Sequence, residues 1–272
     1  MAGDRVMGTA AIPDQVRASF TRQAASYERE ASLQRGVAWR LARLCRALPL
    51  VEGPCADLGA GTGLLSRAIA KQRPGLELLR LDVCPALLQR GLDADAVDPA
   101  SPPPTLSWDL NQGLPPELGQ AALLASSFAL HWLEHPAEQL EHWCRMLRPA
   151  GWLVLALPTA GSFPQWHQAA AGAQVACTAL PLPEAADLIG VAEGYLRLHR
   201  LQRLRFSRRA ASGLSFLRRI SGLGAGASPM PGLAPGEWRR LEAHWASLPE
   251  REGGGKLLSW EMLLVVGQKP AR

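Results

Sequence analysis

The stretch Pro54-Cys-Ala-Asp-Leu58, followed directly by Gly59-Ala-Gly-Thr-Gly63, decides the fold of this 272-residue chain. Its first half has the length and apolar character of a short strand. The glycines let the chain turn sharply at the end of that strand and let a ligand approach the backbone closely. Residues 64–72 then carry the apolar spacing of a helix. The stretch therefore predicts a ligand-binding turn between a strand and a helix.

The spacing of these glycines separates two classes of ligand. Dinucleotide-binding turns have the pattern GxGxxG. Here the pattern is GxGxG, and Asp57 stands two residues before it. Such a turn does not require a pyrophosphate, and it can pack against an amino-acid group and a sugar instead. A glycine triplet alone is a weak signal, so the ligand has to be inferred from the residues that follow.

Two further acidic residues follow the next predicted strands. Asp82 ends a strand predicted over residues 76–81, and Asp109 follows a strand predicted over residues 106–108. An acid at the end of the second strand accepts hydrogen bonds from ribose hydroxyls in dinucleotide enzymes. A carboxylate after the third strand can bind the amino group of adenine. Together with Asp57, these acids predict a cofactor that contains adenosine.

Strands and helices alternate through the first 158 residues. Residues 13–48 have helical spacing and are predicted to form two helices that meet near residues 30–33. Buried strands are predicted at residues 120–125 and 152–157, with a helix at 136–147 between them. This alternation predicts an α/β fold, an open and mostly parallel sheet with helices on both faces.

The pattern changes after Pro158. Residues 162–177 and 183–193 have helical spacing that the alternation does not require. The remaining predicted elements are a half-buried strand at 196–206, helices at 210–220 and 235–248, a loop rich in Gly and Pro at 222–236, and a last strand at 257–267.

Composition excludes several classes of protein. Apolar residues make up 47% of the chain and charged residues 19%, which indicates a globular core and excludes a largely disordered chain. No apolar stretch reaches the roughly 20 residues of a transmembrane helix. The first residues lack the apolar core of a secretory signal, so we expect a cytoplasmic protein without a membrane partner. The five cysteines are scattered without a CxxC pair, which argues against a disulfide framework or a metal site.

The net charge of +5 is unevenly distributed. Eight arginines and no acid lie between Tyr195 and Gly236. This basic segment is either an ordinary solvated face or a docking surface for an acidic partner. Its arginines lack interleaved aromatic residues, and no RNA-binding module is visible, so nucleic acid is not an expected partner.

The sequence resembles class I S-adenosylmethionine-dependent methyltransferases. More narrowly, it is similar to the malonyl-acyl-carrier-protein O-methyltransferase family of biotin synthesis, over nearly the whole chain. The motifs that carry the resemblance, besides the glycine turn, are residues 20–27 (FTRQAASY), 33–35 (LQR), 127–132 (SFALHW), 145–151 (RMLRPAG), 161–168 (GSFPQWHQ), 217–224 (LRRISGLG) and 259–261 (SWE).

The resemblance implies a Rossmann-like seven-stranded sheet, S-adenosylmethionine as cofactor and no metal. It implies a partner, an acyl carrier protein bearing a malonyl group, or malonyl-coenzyme A. We expect the chain to be a monomer. The expected cofactor-binding residues are Tyr27, Asp57, Gly59, Ala60, Gly61, Gly63, Asp82, Val83, Asp109, Leu110, Ser126 and Ser127. The expected substrate-binding residues are His131, Trp132, His167, Arg218 and Arg219.

Three positions depart from the family pattern. Ser127 stands where the family has Asn, His131 where it has Gln, and Ser221 where it has a basic residue. These changes lie near the donor and acceptor pockets. The resemblance therefore fixes the cofactor more firmly than the acceptor.

We expect one methyltransferase domain over residues 1–272. Within it, residues 13–48 form lid helices, 53–158 the donor-binding core, 159–256 the cap and acceptor-side insertions, and 257–268 the last strand. A carboxylate acceptor is already ionised at neutral pH, with a pKa near about 4, so methyl ester formation needs no general base and no catalytic residue is predicted.

Other functions remain open from the sequence. The chain could methylate another small carboxylic acid or metabolite, which a substrate panel would reveal. It could be a nicotinamide-dependent oxidoreductase, a binding protein that has lost turnover, or an RNA methyltransferase. The GxGxG spacing and the helical start argue against the oxidoreductase, and titration with the two cofactors would separate it.

Overall fold

A computed structural model describes residues 12–95, 102–222, 232–250 and 253–271 of the chain. Its centre is a seven-stranded sheet in the order β3-β2-β1-β4-β5-β7-β6. The strands are β1 (Cys55–Leu58), β2 (Leu79–Asp82), β3 (Thr105–Ser107), β4 (Ala121–Ser127), β5 (Leu147–Pro158), β6 (Arg197–Ala210) and β7 (Lys256–Gln268).

Strands β1 to β5 are parallel, whereas β7 runs antiparallel to both β5 and β6. The predicted fold, a mostly parallel Rossmann-like sheet, is therefore confirmed. The strand order reverses between β1 and β4, because β1 has β2 on one side and β4 on the other. Ligands of open α/β sheets bind at such a reversal, outside the carboxyl ends of the strands.

Ten helices surround the sheet in the part of the chain that the structure describes. They are α1 (Ile12–Gln23), α2 (Tyr27–Glu30), α3 (Ser32–Cys45), α4 (Leu64–Gln72), α5 (Pro85–Asp95), α6 (Pro136–Met146), α7 (Pro164–Ala173), α8 (Ala185–Tyr195), α9 (Gly213–Gly222) and α10 (Pro235–His244). No helix among these described residues is long and apolar enough to cross a membrane.

The N-terminal helices have two different locations: α3 packs in the core, whereas α1 and α2 lie outside it. Helix α3 buries Val37, Leu41 and Cys45 in the same apolar cluster as strands β4 and β5. Its apolar residues recur every three to four positions, and this stripe packs on the sheet. Helix α3 is therefore a core helix, and only α1, α2 and the first turn of α3 remain available as a cover for the cleft. The predicted break between two helices falls at Ala31, and the chain also breaks at residues 24–26.

The second half of the chain contributes more to the core than the sequence indicates. Helix α8, predicted to be superfluous to the alternation, packs Leu188 and Ala192 into the core cluster beside α6. Strand β6, assigned by the sequence to the cap, is the edge strand of the main sheet. The cap proper consists of α7, α9 and α10, which share a separate apolar cluster around Trp166, Phe216 and Trp245.

Several predicted boundaries move. Strand β2 begins at Leu79 rather than at residue 76, helix α7 ends at Ala173 rather than 177, and β6 extends to Ala210 rather than 206. Gln174 closes α7 in the left-handed region (φ 52°), which a helix cannot continue. Strand β6 extends because β7 pairs with it along its full length. Most of the loop predicted at 222–236 lies outside the described residues.

Candidate active site

The glycine-rich turn forms the floor of a cleft at the carboxyl ends of β1, β2 and β4. Gly59, Gly61 and Gly63 have φ values of 70°, 55° and 78°, a region that residues with a side chain rarely adopt. A Cβ atom on Gly59 would lie 2.1 Å from the Cβ of Ala129, in the segment that follows β4. Gly59 therefore allows the turn and that segment to approach each other, and the cleft lies between them.

Asp57 connects the glycine turn to the first turn of α4. Its carboxylate is buried and accepts hydrogen bonds from both the backbone N–H and the hydroxyl of Ser66, at 3.1 and 2.6 Å. Burial raises the pKa of Asp57 to about 6, against the lowering effect of the Ser66 bonds and of the nearby Arg80 guanidinium. Asp57 thus fixes the start of α4 and also lines the cleft.

Asp82 ends β2 and faces the same cleft. One carboxylate oxygen accepts the Gly61 N–H at 2.8 Å, and the other accepts the Cys84 N–H at 2.8 Å. Burial and the Asp57 charge raise the pKa of Asp82 to about 6, although the two backbone bonds lower it. A carboxylate oxygen accepts more than one hydrogen bond, so both oxygens can also receive hydroxyl donors from a ligand in the cleft.

Asp109 closes the far end of the cleft. Its Oδ1 atom accepts bonds from the backbone and side-chain nitrogens of Asn111, each at 2.9 Å. This cap starts a short 3₁₀ turn that brings Leu110 to the cleft wall. The three predicted acids thus line a single cleft.

The N-terminal helices contribute to the wall of this cleft, which we call the donor cleft. Tyr27, at the start of α2, lines it together with Phe20 from α1. The Phe20 ring makes edge contacts with Tyr27 and with Trp132, at centroid distances of 6.3 and 5.5 Å. Burial and the Asp82 carboxylate raise the pKa of Tyr27 well above its usual value, so the phenol stays protonated.

A larger cavity lies beside the donor cleft, under the cap, and we call it the acceptor cavity. Its void is about 2150 Å³ including the open mouth, against about 920 Å³ for the donor cleft. Aromatic and aliphatic side chains form much of its wall, and α7, α9, α10 and β6 each contribute to it. The two spaces share five lining residues, which are Phe20, Tyr27, Gln34, Phe128 and Trp132. The two spaces are therefore adjacent along this shared wall.

His131 faces the acceptor cavity as a neutral imidazole. Burial lowers the pKa of His131 to about 3, and its Nδ1 atom has no hydrogen-bond partner among the described residues. The Gln34 Oε1 and Ser127 Oγ atoms are likewise buried without a partner in the described chain. Buried polar atoms usually have a partner. In the described chain these three atoms are unsatisfied and are also shielded from solvent.

Ten of the twelve predicted cofactor-binding residues line the donor cleft. They are Tyr27, Asp57, Gly59, Ala60, Gly61, Asp82, Val83, Asp109, Leu110 and Ser127. The structure places the other two elsewhere. Ser126 is buried and donates a hydrogen bond to the Leu58 carbonyl at 2.8 Å, since successive side chains of a strand point to opposite faces. Gly63 begins α4, close against the Arg80 guanidinium.

Three of the five predicted substrate residues, His131, Trp132 and Arg219, line the acceptor cavity. His167 and Arg218 do not. His167 is exposed on the outer face of α7, with its Nδ1 atom 3.4 Å from the Cys177 sulfur. Arg218 and Arg219 are both exposed, and of the two only Arg219 lines the cavity.

Four residues of the site are not among those predicted from the sequence. Phe20, Gln34 and Phe128 all lie within motifs that carry the family resemblance, and that position was the only available signal. Phe128 also has a left-handed backbone (φ 59°), a feature that clusters at functional sites. Arg208 lines the acceptor cavity from β6, on the same strand face as Phe206. Ser207 also lines the cavity, so strand alternation alone does not select Arg208.

Comparison with known proteins agrees with this geometry. Residues 56–153 match a family model described as a methyltransferase domain. A solved methyltransferase structure from Bacillus halodurans superposes with a TM-score of 0.58 at 14% identity, covering 85% of this chain and 98% of that one. Residues 56–153 therefore carry a methyltransferase domain. Its predicted cofactor, S-adenosylmethionine, is the methyl donor of this class of domain.

Two curated relatives align with more residues of the chain than the family model does. The biotin biosynthesis bifunctional protein BioCD of Bordetella avium is 32% identical over 245 residues, 85% of this chain and 48% of that protein. The malonyl-[acyl-carrier protein] O-methyltransferase of Laribacter hongkongensis is 33% identical over 163 residues, 58% of this chain and 54% of that protein. The chain thus spans about half the length of these relatives.

The residues of the donor cleft fit S-adenosylmethionine. The cleft combines a backbone turn without side chains, a carboxylate at the end of β2 and a second carboxylate after β3. These groups suit an amino-acid group, ribose hydroxyls and an adenine amino group in that order. Within the described ranges, no three His, Cys, Asp or Glu side chains are grouped so that they could hold a metal ion.

Proposed function

We propose that this chain is an S-adenosylmethionine-dependent O-methyltransferase that esterifies the free carboxylate of a malonyl thioester, carried on acyl carrier protein, in the early pimeloyl steps of biotin synthesis. One observation carries the proposal: the donor cleft and an arginine-lined acceptor cavity meet at a shared wall. The names of the Bordetella avium and Laribacter hongkongensis relatives support the same acceptor.

The chemistry needs little more than placement. When bound, S-adenosylmethionine supplies a methyl group that its sulfonium makes electrophilic, so a C–O bond forms to the acceptor as the C–S bond breaks and its electron pair stays on sulfur. The acceptor carboxylate is already ionised at neutral pH. Alignment of the acceptor oxygen, the methyl carbon and the sulfur then supplies most of the rate enhancement. No proton has to be removed, and no residue is assigned as a general base.

Each wall of the site has a separate role in this proposal. Asp82 accepts the ribose hydroxyls, and Asp109 accepts the adenine amino group. Phe20, Tyr27 and Trp132 close the shared wall and exclude water from the point of transfer. Water exclusion strengthens the attraction between a bound carboxylate and the arginines of the acceptor cavity.

The basic segment fits an acidic carrier. Among its eight arginines, Arg197, Arg200, Arg203, Arg205 and Arg209 are exposed along β6, the edge strand beside the acceptor cavity. A carrier protein docked there would deliver a tethered malonyl group into the cavity. Esterification would remove the charge of the malonyl carboxylate and leave an apolar chain end that fatty-acid synthesis enzymes can elongate.

Mass spectrometry of malonyl-carrier protein tests the proposal. After incubation with enzyme and S-adenosylmethionine, the carrier should gain one methyl group on its malonyl carboxylate. Acetyl-carrier protein, which lacks a free carboxylate, is the matched control and should gain nothing. Absence of methylation on malonyl-carrier protein and malonyl-coenzyme A alike, with turnover on another small carboxylic acid in a substrate panel, would overturn the assigned acceptor.

A further inference from the structure

Three charged side chains line the acceptor cavity in the described part of the chain, and they are Glu30, Arg208 and Arg219. His131 adds no charge at neutral pH, because burial lowers the pKa of His131 to about 3. The cavity therefore carries one net positive charge. This net charge limits the number of carboxylates that the acceptor cavity can bind.

Arg219 already has an anionic partner. Its Nε atom lies 3.1 Å from the Glu30 Oε2 atom, which reaches it from helix α2 across the cavity. The pair offsets the charge of Arg219, so a carboxylate from an acceptor would have to compete with Glu30 for it.

Arg208 has no anionic partner among the described residues. Its guanidinium donates one hydrogen bond, to the Ser32 hydroxyl at 3.1 Å. An arginine has five N–H donors in a planar fork that matches a carboxylate, and one bond to a hydroxyl leaves most of them free. Arg208 is half-buried, and water screens a half-buried charge less than an exposed one.

We propose that Arg208 binds the single carboxylate of the acceptor, and that Glu30, by occupying Arg219, restricts the cavity to acceptors with one carboxylate. A second carboxylate in the cavity would face the Glu30 carboxylate without a free cation to offset it. Like charges at close range oppose binding. This inference rests on the proposed function and names the residues that select its substrate.

Arg208→Gln tests the first half of the proposal, with malonyl-coenzyme A as acceptor. The KM for malonyl-coenzyme A should rise at least about tenfold, the scale of losing a hydrogen bond to a charged group. Calorimetric affinity for S-adenosylmethionine should stay unchanged, because Arg208 does not line the donor cleft. Arg208→Lys keeps the charge without the fork and should recover part of the loss. Arg239→Gln, at an exposed arginine of α10, is the matched control and should behave as wild type.

Glu30→Gln tests the second half. Free malonate has two carboxylates, and the wild-type enzyme should turn it over poorly relative to malonyl-coenzyme A. In the variant, Arg219 becomes available, and the ratio of kcat/KM for malonate to that for malonyl-coenzyme A should rise at least about tenfold. The melting temperature shows whether the variant is folded. A double variant, Glu30→Gln with Arg219→Gln, removes the released cation and should lose this gain.

The outcomes separate the two levels of the proposal. A wild-type enzyme that methylates no malonyl thioester overturns the proposed function itself. An active wild type whose Arg208→Gln variant keeps its KM overturns the assignment of Arg208. An unchanged substrate ratio in folded Glu30→Gln overturns the role of Glu30.

Discussion

The Glu28 carboxylate of α2 accepts a hydrogen bond from the Arg67 guanidinium of α4 and so ties the cover of the donor cleft to the helix that begins at the glycine turn. Burial alone would raise the pKa of Glu28. The Arg67 bond and the neighbouring Arg35 charge outweigh burial and lower it. A second Arg67 nitrogen donates to the Thr62 carbonyl at 2.5 Å, inside the turn itself. Arg67 therefore connects α2 with the glycine turn.

Glu28→Gln should weaken S-adenosylmethionine binding by about two- to fivefold, a small effect because the pair is partly exposed to water and such pairs contribute little. The substitution keeps the size of the side chain and removes the charge that holds α2. Isothermal calorimetry measures the effect, with Glu77→Gln at an exposed position as control. Equal affinity in wild type and Glu28→Gln would mean that this ion pair does not hold the cover closed.

Asp82→Ala should weaken donor binding by at least about 1.5 kcal/mol, the scale of losing charge-assisted hydrogen bonds. The carboxylate lies at the end of β2 and lines the donor cleft. Asp93→Ala, at an exposed position of the following helix, is the matched control. An Asp82→Ala protein with native circular dichroism and undiminished calorimetric affinity would exclude this residue as the ribose ligand.

Donor affinity should fall as the pH drops through about 6. Burial raises the pKa of Asp82 to about 6, and protonation removes the charge that attracts the ribose hydroxyls. Stability without donor should change in the opposite direction. Because an acid with a raised pKa in the folded state binds its proton more tightly there, stability should decrease as pH rises from about 4 to about 6. In Asp82→Asn the slope of donor affinity should flatten, and the slope of stability should decrease to the part that Asp57 contributes. A wild-type donor affinity that is constant from pH 5 to pH 8 would contradict the prediction.

Gly59→Ala and Gly61→Ala should separate stability from binding. A methyl group on Gly59 meets Ala129 at 2.1 Å, so we expect a loss of about 3 kcal/mol in the free energy of unfolding from overpacking and backbone strain. A methyl group on Gly61 meets nothing nearer than Leu87 at 3.9 Å, so strain alone should cost about 1 kcal/mol. That methyl group occupies the donor cleft, so donor affinity should fall more than stability. Denaturant titration and calorimetry measure the two effects, and equal destabilisation of both variants would refute the distinction.

Arg200→Glu combined with Arg209→Glu should raise the KM for malonyl-carrier protein and leave the KM for malonyl-coenzyme A unchanged. Both arginines are exposed on β6. Arg208 is left intact because it lines the acceptor cavity, and Arg203 because it pairs with Glu261 at 2.9 Å. Salt should weaken turnover on the carrier-bound substrate more than on the coenzyme A substrate, since it screens exposed charges. Identical salt dependence for the two substrates would mean that the exposed face of β6 is an ordinary solvated surface and not a docking surface.

The sequence alone determined the strand, turn and helix around Gly59 and the order of the acids Asp57, Asp82 and Asp109. These features are local: glycine supplies its backbone freedom wherever it stands, and an acid directly after a strand lies at the edge of the sheet. The alternation of strands and helices was sufficient to predict the α/β class, because this pattern is also local. Apolar periodicity can be read from consecutive residues, without knowledge of the tertiary structure.

Only the tertiary structure decided which neighbours face the site. Ser126 and Ser127 are adjacent on one strand, and Arg218 and Arg219 on one helix, yet one of each pair lines a cavity and the other does not. The direction of a side chain depends on the register and rotation of its element, which packing against distant residues fixes. The pairing of Glu30 with Arg219, 189 positions apart in the chain, is set in the same way. From the sequence alone, Arg208 and Arg219 are equally available to bind a carboxylate. The structure distinguishes them, because only the assembled fold determines which charges meet in a cavity.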